Sequence, residues 1–275
     1  MEENMLSSLS GINTIVSHGD VDGVACTAIV LRRFPSAKII FAEPYTINNI
    51  IRGLVKPIIV LDIMFNEYDG VHVIDHHCGN APSCTSLLAD WPEASKFLVE
   101  LGVAGDTGSV TDSRILSAAV DLADAIAYDS DDNLFRVYAA KYLSLREKLP
   151  PETFSRAKKF RKMLNVKVEE AKKASEVIGD SLLILYPSLE KGFVSRIAGM
   201  FAKKYATVAV VWVNNGKTVV TLRGANAKNI VEFFRNVDPR FCNGGGHATA
   251  ASFSTTSKIE SVSANVKSIL RNGLG

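Results

Sequence analysis

The string V-I-D-H-H at Val73–His77 is the stretch that best indicates the fold class of this chain. It closes an apolar run, Val71–Ile74, with one acid and two imidazoles, and Asp62 closes a second run, Pro57–Leu61, in the same way. Short apolar runs of this kind are typical of strands buried on both faces of a parallel sheet. The pattern therefore predicts an α/β domain whose polar residues collect where the strands end.

The residues before these runs continue the alternation of strand and helix. Ile12–Ser17 and Lys38–Ala42 are further apolar runs, and Val24–Phe34 between them has apolar residues at helical spacing. This order predicts a doubly wound, mostly parallel sheet over residues 1–150. Ligands of such sheets bind beyond the carboxyl ends of the strands. The string H-G-D-V-D-G at His18–Gly23 falls at such an end.

A second α/β pattern follows residue 180. Leu182–Tyr186 and Thr207–Val213 predict strands, and Asn214-Asn215-Gly216 is a hairpin signal. We expect a smaller α/β domain with a mixed sheet over residues 181–275. A connector over 151–180, opened by the Pro150–Pro151 pair and rich in Lys and Arg, is predicted to be helical throughout.

Composition indicates a folded protein without a strong charge bias. The 275 residues include 31 basic and 29 acidic side chains, and 47% are hydrophobic. Any nucleic-acid contact would therefore come from a local patch. The four cysteines show no C-x-x-C spacing, which favours reduced thiols. With no signal-peptide pattern and no apolar run near the ~20 residues of a membrane span, we expect a cytoplasmic protein without a membrane partner.

The acids and imidazoles at the strand ends form a candidate metal site. These residues are His18, Asp20, Asp22, Asp62, Asp75, His76 and His77. Alone, the D-x-D pair is better explained by a solvated acidic turn, but a buried carboxylate such as Asp62 needs a cation or several donors. Carboxylate and imidazole ligands without thiolates favour Mn²⁺ or a similar first-row ion. The ligands suffice for two ions.

A Gly-rich segment in the second half is a candidate phosphate site. A turn formed by G-G-G-H at Gly244–His247 would expose backbone N–H groups, and His247 could donate to the same anion. Arg223, at the end of a predicted strand, suits a bidentate contact with phosphate. Alone, three consecutive glycines are more typical of an ordinary loop than of a phosphate site.

Five strings in order resemble the motifs of the DHH phosphoesterases that carry a DHH-associated C-terminal domain. They are H-G-D-V-D-G, V-L-D at Val60–Asp62, D-H-H at Asp75–His77, G-D-T-G at Gly105–Gly108, and G-G-G-H. The resemblance covers nearly the whole chain. It implies a metal-dependent phosphoesterase, in a family that includes RecJ-type exonucleases, nanoribonucleases and cyclic-dinucleotide phosphodiesterases.

The resemblance also implies residue roles. One metal ion would be bound by His18 and Asp20, the other by Asp22, His76 and Asp106, with Asp62 bridging both. Asp75 and His77 would act in catalysis, Asp75 by orienting the histidine and His77 by facing the substrate phosphate. Substrate would be held in the second domain by Arg223, Gly244, Gly245, Gly246 and His247.

Two departures from the family pattern leave alternatives open. His18 precedes Asp20 by two residues, whereas many members place this histidine four residues before the acid, so the role of His18 as a ligand is open. The interval from His77 to Asp106 is short for the family. Asp112 is therefore the alternative acid of the fourth motif.

The resemblance implies three functions. The first is a phosphodiesterase or exonuclease that releases nucleoside monophosphates from short single-stranded RNA or DNA by two-metal activation of water, with Mn²⁺, or else Mg²⁺ or Co²⁺. The second is an enzyme for a small nucleotide, such as a cyclic dinucleotide or a 3′-phosphoadenosine-type compound. The third is a non-catalytic replication scaffold, which the complete set of acids and histidines disfavours. A homodimer is compatible with the sequence, which indicates no other protein partner.

Overall fold

The computed structural model describes residues 11–77 and 79–273. The chain divides into two compact units, Met1–Phe160 and Arg161–Gly275. In the described ranges, no helix combines the length and the apolar character that crossing a membrane requires.

The first unit is built on a parallel sheet. Its strands in the described residues are β1 (Thr14–Ser17), β2 (Lys38–Phe41), β3 (Ile58–Leu61) and β4 (Val71–Ile74). Its helices are α1 (Val21–Arg33), α2 (Ile47–Arg52), α3 (Cys84–Leu87), α4 (Lys96–Thr107), α5 (Ser113–Tyr128), α6 (Asn133–Leu145) and the first part of α7 (Pro151–Lys173). The strand order is β2-β1-β3-β4, and every neighbouring pair is parallel. The predicted parallel α/β sheet is confirmed.

The strands lack polar alternation because both faces of the sheet are covered. Along β3, Ile59 and Leu61 pack into a core that includes α1, α4, α5 and α6. Ile58 and Val60 point to the other face and pack with Ile47 of α2. Successive side chains of a strand face opposite ways, so burial on both sides demands apolar residues at every position.

The parallel register brings the predicted polar residues to one edge. Ser17 pairs with Leu61, and Leu61 pairs with Ile74, so β1, β3 and β4 end at the same level. Pairing continues one residue further, because His18 donates its backbone N–H to the Leu61 carbonyl at 3.2 Å and Asp62 donates to the Ile74 carbonyl at 2.9 Å. These backbone hydrogen bonds determine the positions of the Cα atoms of His18 and Asp62, from which the side chains extend.

The second unit contains a mixed sheet. Its described strands are β5 (Ser175–Ile178), β6 (Ser181–Leu185), β7 (Thr207–Asn214), β8 (Lys217–Gly224), β9 (Phe241–His247) and β10 (Ala250–Thr255), and its helices are α8 (Lys191–Phe201), α9 (Ala227–Val237) and α10 (Ile259–Asn272). The order is β5-β6-β7-β8-β10-β9, in which β6 and β7 pair in parallel and the other neighbours pair antiparallel. The predicted hairpin joins β7 to β8, with positive φ at Asn215 (48°) and Gly216 (73°), as a two-residue hairpin turn requires.

Two expectations for this half of the chain are wrong in detail. The connector is not helical throughout, because α7 ends at Lys173 and Ser175–Ile178 forms β5, paired antiparallel with β6. The three glycines do not form a turn but lie within β9, paired with β10. In both cases pairing with a neighbouring strand supplies the backbone hydrogen bonds, which local sequence does not reveal.

Candidate metal centre

The segment between β1 and α1 positions the acids of the first motif. Asp20 is the N-cap of α1, and its Oδ1 accepts a hydrogen bond from the Gly23 backbone N–H at 3.0 Å. Asp22 lies in the first turn of the same helix and is fully buried. The N-terminus of a helix stabilises negative charge. The pKa of Asp20 is lowered, with His18 as the main favourable partner, whereas burial and the charge of Asp20 raise the pKa of Asp22.

The carboxylate of Asp22 is held by a second helix. It accepts hydrogen bonds from the backbone N–H groups of Cys84, at 2.6 Å, and Thr85, at 3.1 Å, where α3 begins. A Cβ atom at Gly102 of α4 would lie 2.2 Å from Asp22 Oδ1, so α4 approaches this closely only because residue 102 has no side chain. Asp22 therefore has a fixed position between three helices.

Asp62 follows β3 and is the most constrained acid of the site. It adopts a positive φ of 57° and is 2% exposed. Neither of its carboxylate oxygens has a hydrogen-bond partner among the described residues. Burial, reinforced by the charge of Asp20, raises the pKa of Asp62 to about 9. A buried carboxylate without donors is costly, and a cation at this position would remove the cost.

His76 connects Asp62 to Asp106. Its Nε2 lies 3.3 Å from Asp62 Oδ1 and 3.1 Å from Asp106 Oδ2, while its Nδ1 lies 3.3 Å from the Ala81 carbonyl. A proton on Nδ1, donated to Ala81, would leave the Nε2 lone pair available for a metal ion. Burial and the nearby Asp22 raise the pKa of Asp106 to about 8.

The predicted ligands form two groups that share one residue. The ligand atoms of Asp22, Asp62, His76 and Asp106 lie within 4.8 Å of one another, and so do those of His18, Asp20 and Asp62. Carboxylate oxygens and imidazole nitrogens suit a divalent first-row ion or Mg²⁺. The residues present therefore fit two cations, with Asp62 within reach of both.

The two open assignments have clear geometric outcomes. The structure brings His18 into the site, with Nδ1 2.8 Å from Asp20 Oδ2 and 3.6 Å from Asp62 Oδ2. Burial acts to lower the pKa of His18, but the Asp20 carboxylate outweighs it and the net shift is upward. Asp112 instead caps α5 and pairs with Arg114 at 3.0 Å. Asp106, and not Asp112, lies with the other candidate ligands.

The two residues proposed for catalysis form a pair of their own. His77 Nδ1 lies 2.5 Å from Asp75 Oδ1, and the His77 backbone N–H also points to this carboxylate, at 3.3 Å. The hydrogen bond that the imidazole donates to the Asp75 carboxylate raises the pKa of His77. Asp75 thus orients His77, whereas the ring of His76 contacts the Ala81 carbonyl. The sequence did not indicate Ala81.

Sequence reasoning missed the helix that carries Asp106. Ser95 accepts a hydrogen bond from the Leu98 backbone N–H as the N-cap of α4, and Gly108, at φ 65°, ends the helix in the left-handed conformation. Serine is typical of the residue before a helix and glycine of the residue after it, so these two residues could have predicted the helix boundaries. The G-D-T-G string is thus the last turn and cap of a helix.

The predicted phosphate ligands lie on neighbouring strands of the second unit. Arg223 of β8 is half-buried, and the burial lowers its pKa. Its backbone pairs with Ala250 of β10, which in turn pairs with position 247 of β9. Positions 223 and 247 are therefore two strand spacings apart, about 10 Å. The side chain of His247 lies outside the described part of the structure.

The three glycines have different surroundings. A Cβ atom at Gly244 would lie 2.5 Å from Phe253 Cβ, and one at Gly246, where φ is 137°, would lie 2.3 Å from the Ala250 carbonyl oxygen. Nothing lies within 4 Å of such an atom at Gly245. Arg235 donates to the Gly244 carbonyl at 2.7 Å. Among the described strands, β9 pairs only with β10 and lies at the edge of the sheet.

Comparisons with known proteins agree with this architecture. Residues 179–272 match the DHHA1 domain. The fold resembles the pGpG-specific phosphodiesterase PggH from Vibrio cholerae, with 17% identity and a TM-score of 0.65, over 96% of this chain and 100% of that one. No curated protein sequence matches the chain.

Two further solved structures resemble the chain. RecJ from Thermus thermophilus, solved with Mn²⁺, has 14% identity and a TM-score of 0.52 over 94% of this chain but 51% of its own. An exopolyphosphatase-related protein from Bacteroides fragilis has 14% identity and a TM-score of 0.54, over 98% and 96% of the two chains. The chain thus spans about half the length of RecJ.

The protein has the fold of the DHH phosphoesterases, and its C-terminal half contains a DHHA1 domain. The resemblance inferred from the five motifs is confirmed at this level.

Proposed function

We propose that the protein is a divalent-metal-dependent phosphodiesterase that hydrolyses short oligonucleotides to nucleoside monophosphates. The observation that supports this most strongly is the buried carboxylate of Asp62. Neither of its oxygens has a hydrogen-bond partner in the described residues, and it belongs to both groups of candidate ligands. The nearest side-chain nitrogens to this carboxylate, His76 Nε2 at 3.3 Å and His18 Nδ1 at 3.6 Å, are themselves candidate ligands. A buried carboxylate in these surroundings is suited to a pair of cations.

In this proposal, His18, Asp20 and Asp62 hold one cation, and Asp22, Asp62, His76 and Asp106 hold the other. When bound, the ions would polarise the phosphoryl group and lower the pKa of a water molecule. The cation we favour is Mn²⁺, because the donors are carboxylates and imidazoles without thiolates. The nearby thiols of Cys26 and Cys84 are buried, and burial raises the pKa of Cys84 to about 11, so they serve packing at neutral pH.

His77 would contact the substrate phosphate. Asp75 accepts from its Nδ1 at 2.5 Å and raises its pKa, so the imidazolium form is favoured and Nε2–H can be donated to a phosphate oxygen. Asp75 would act by fixing the orientation of that ring.

The second unit would contribute to substrate binding. Arg223 is a half-buried cation that donates a hydrogen bond to the Leu222 carbonyl, at 3.0 Å, which leaves its charge available to an anion. The free edge of β9 at Gly245 could offer backbone N–H groups to the same ligand, and His247 could add a donor. These residues would bind a phosphate group of the substrate.

A second candidate function is the hydrolysis of a dinucleotide or a related small nucleotide. It is favoured by the comparison with PggH, because the present chain aligns with the whole length of PggH but with only about half the length of RecJ. PggH is described as specific for pGpG.

One experiment separates the two functions. The protein would be incubated with Mn²⁺ and a series of end-labelled RNA and DNA strands of graded length, together with pGpG and cyclic dinucleotides, and the products resolved. Release of monophosphates from strands longer than two nucleotides supports the first function, and cleavage restricted to dinucleotides supports the second. Chelation by EDTA should abolish either activity, and full turnover after exhaustive chelation would contradict both.

A further inference from the structure

Arg136 lies next to the metal-centre segment but belongs to none of the five motifs. It is on α6 and is 6% exposed. Its Nε donates a hydrogen bond of 2.7 Å to the backbone carbonyl of Gly19, the residue between His18 and Asp20. A buried side chain from a distant part of the chain thus binds the backbone that carries two candidate ligands.

The guanidinium group is itself held firmly. Its Nη1 donates to Asn133 Oδ1 at 3.0 Å, and its Nη2 donates to the Ser130 carbonyl at 2.8 Å. Both partners belong to the start of α6 or the turn before it. With two nitrogens fixed at this helix end, the third reaches Gly19 with little freedom.

Gly19 is shaped to accept this contact. A Cβ atom at position 19 would lie 2.8 Å from Arg136 Nε and 3.2 Å from Arg136 Cζ. Any side chain larger than hydrogen would therefore push the guanidinium away from the backbone. Glycine at position 19 thus allows the guanidinium group of Arg136 to approach the backbone.

The charge of Arg136 has no direct ion pair in the described part of the chain. Burial lowers its pKa, and the carboxylates of Glu43, Asp131, Asp132 and Asp20 act in the opposite direction across a distance. An arginine in such surroundings stays protonated. The hydrogen bond to Gly19 is therefore made by a buried cation, which makes it stronger than a neutral one.

We propose that Arg136 is a positioning residue of the metal centre: it fixes the His18–Gly19–Asp20 backbone so that the imidazole of His18 and the carboxylate of Asp20 point at Asp62. The proposal rests on the proposed metal centre. It predicts that loss of this contact weakens metal binding without removing any ligand.

The test compares Arg136→Lys with a control at another buried arginine. Arg156 of α7 is 9% exposed and binds the Ala125 carbonyl and Asp132, away from the motif segment. The readouts are the Mn²⁺ dissociation constant, from the EPR signal of free Mn²⁺, and the melting temperature without metal. We expect Arg136→Lys to raise the dissociation constant about tenfold and Arg156→Lys to leave it unchanged, although both variants lower the melting temperature. In Arg136→Lys, excess Mn²⁺ should restore kcat.

A second variant disrupts the same hydrogen bond by changing Gly19 instead of Arg136. Gly19→Ala keeps Arg136 but places a methyl group against its Nε, and should also weaken Mn²⁺ binding. In the double variant Gly19→Ala/Arg136→Ala the clash is gone, so the loss of Mn²⁺ affinity should be smaller than the product of the losses measured for Gly19→Ala and for Arg136→Ala. This double-mutant cycle tests the role of Arg136 even if the Arg136→Lys variant folds poorly.

Equal Mn²⁺ affinities for Arg136→Lys, Gly19→Ala and the wild type would overturn the positioning role while leaving the proposed function intact. A loss of Mn²⁺ affinity in the double variant equal to the product of the single-variant losses would also overturn the positioning role. Failure of the wild-type protein to bind Mn²⁺ would overturn the metal centre and the role of Arg136 together.

Discussion

The Nε2 atom of His76 lies 3.1 Å from Oδ2 of Asp106, although His76 follows strand β4 and Asp106 lies on the last turn of helix α4. Asp112, a few residues further along, faces Arg114 instead. The acid that completes the candidate metal site is thus determined by the path of α4.

The first prediction concerns these two acids. Asp106→Ala should weaken binding of one Mn²⁺ ion by at least tenfold and lower kcat, because it removes a candidate ligand. Asp112→Ala should lower the melting temperature slightly, as the loss of a helix N-cap does, without changing metal binding. Calorimetric titration with Mn²⁺ and thermal denaturation check this. Equal metal affinities for the two variants would contradict the assignment.

The second prediction concerns Asp62. Asn does not ionise and tolerates a positive φ, so Asp62→Asn should keep the backbone and remove the cost of holding a proton on the buried carboxyl group in the metal-free protein. We expect a higher melting temperature in the absence of metal, no stabilisation by Mn²⁺, and loss of phosphodiesterase activity. Asp90→Asn, at an exposed acid, is the matched control. An Asp62→Asn protein stabilised by Mn²⁺ as strongly as the wild type would exclude Asp62 as a ligand.

The third prediction concerns pH. The pKa values of Asp62 and Asp106 are raised from 3.8 to about 9 and about 8, chiefly by burial. The folded metal-free protein therefore retains protons that the unfolded chain has released, so its stability should fall as pH rises from about 4 to about 9. The melting temperature in EDTA should decrease over this range, and the stabilisation by Mn²⁺ should grow. If the melting temperatures with Mn²⁺ and with EDTA differed by the same amount at every pH, the raised pKa values of Asp62 and Asp106 would be contradicted.

The fourth prediction concerns Arg223. A charge-assisted phosphate contact contributes ~1.5–3 kcal/mol, so Arg223→Ala should lower kcat/KM for an oligonucleotide by one to two decades. Hydrolysis of bis-p-nitrophenyl phosphate, which lacks the neighbouring nucleotide, should be little affected. Lys217→Ala, at an exposed cation of the same strand, is the control. An equal loss on both substrates would mean that Arg223 has a structural role.

Local sequence was enough to predict the parallel sheet and the place where its polar residues meet. Apolar runs ended by His18, Asp62 and Asp75 predict strands buried on both faces, and parallel strands present their carboxyl ends at one edge. The hairpin at Asn215-Gly216 was equally readable, because a two-residue turn needs positive φ at both positions. These features depend on neighbouring residues alone.

Contacts between distant segments, which complete the site, were visible only in the folded chain. They place Gly244–Gly246 in strand β9, select Asp106 over Asp112, and bring Arg136 to the Gly19 carbonyl. The first outcome depends on pairing with β10, the strand that directly follows β9, and the other two depend on contacts between segments far apart in the chain. Neither periodicity nor motif spacing encodes these contacts. The unpartnered carboxylate of Asp62 likewise becomes visible only when every described neighbour that could donate to it is in place.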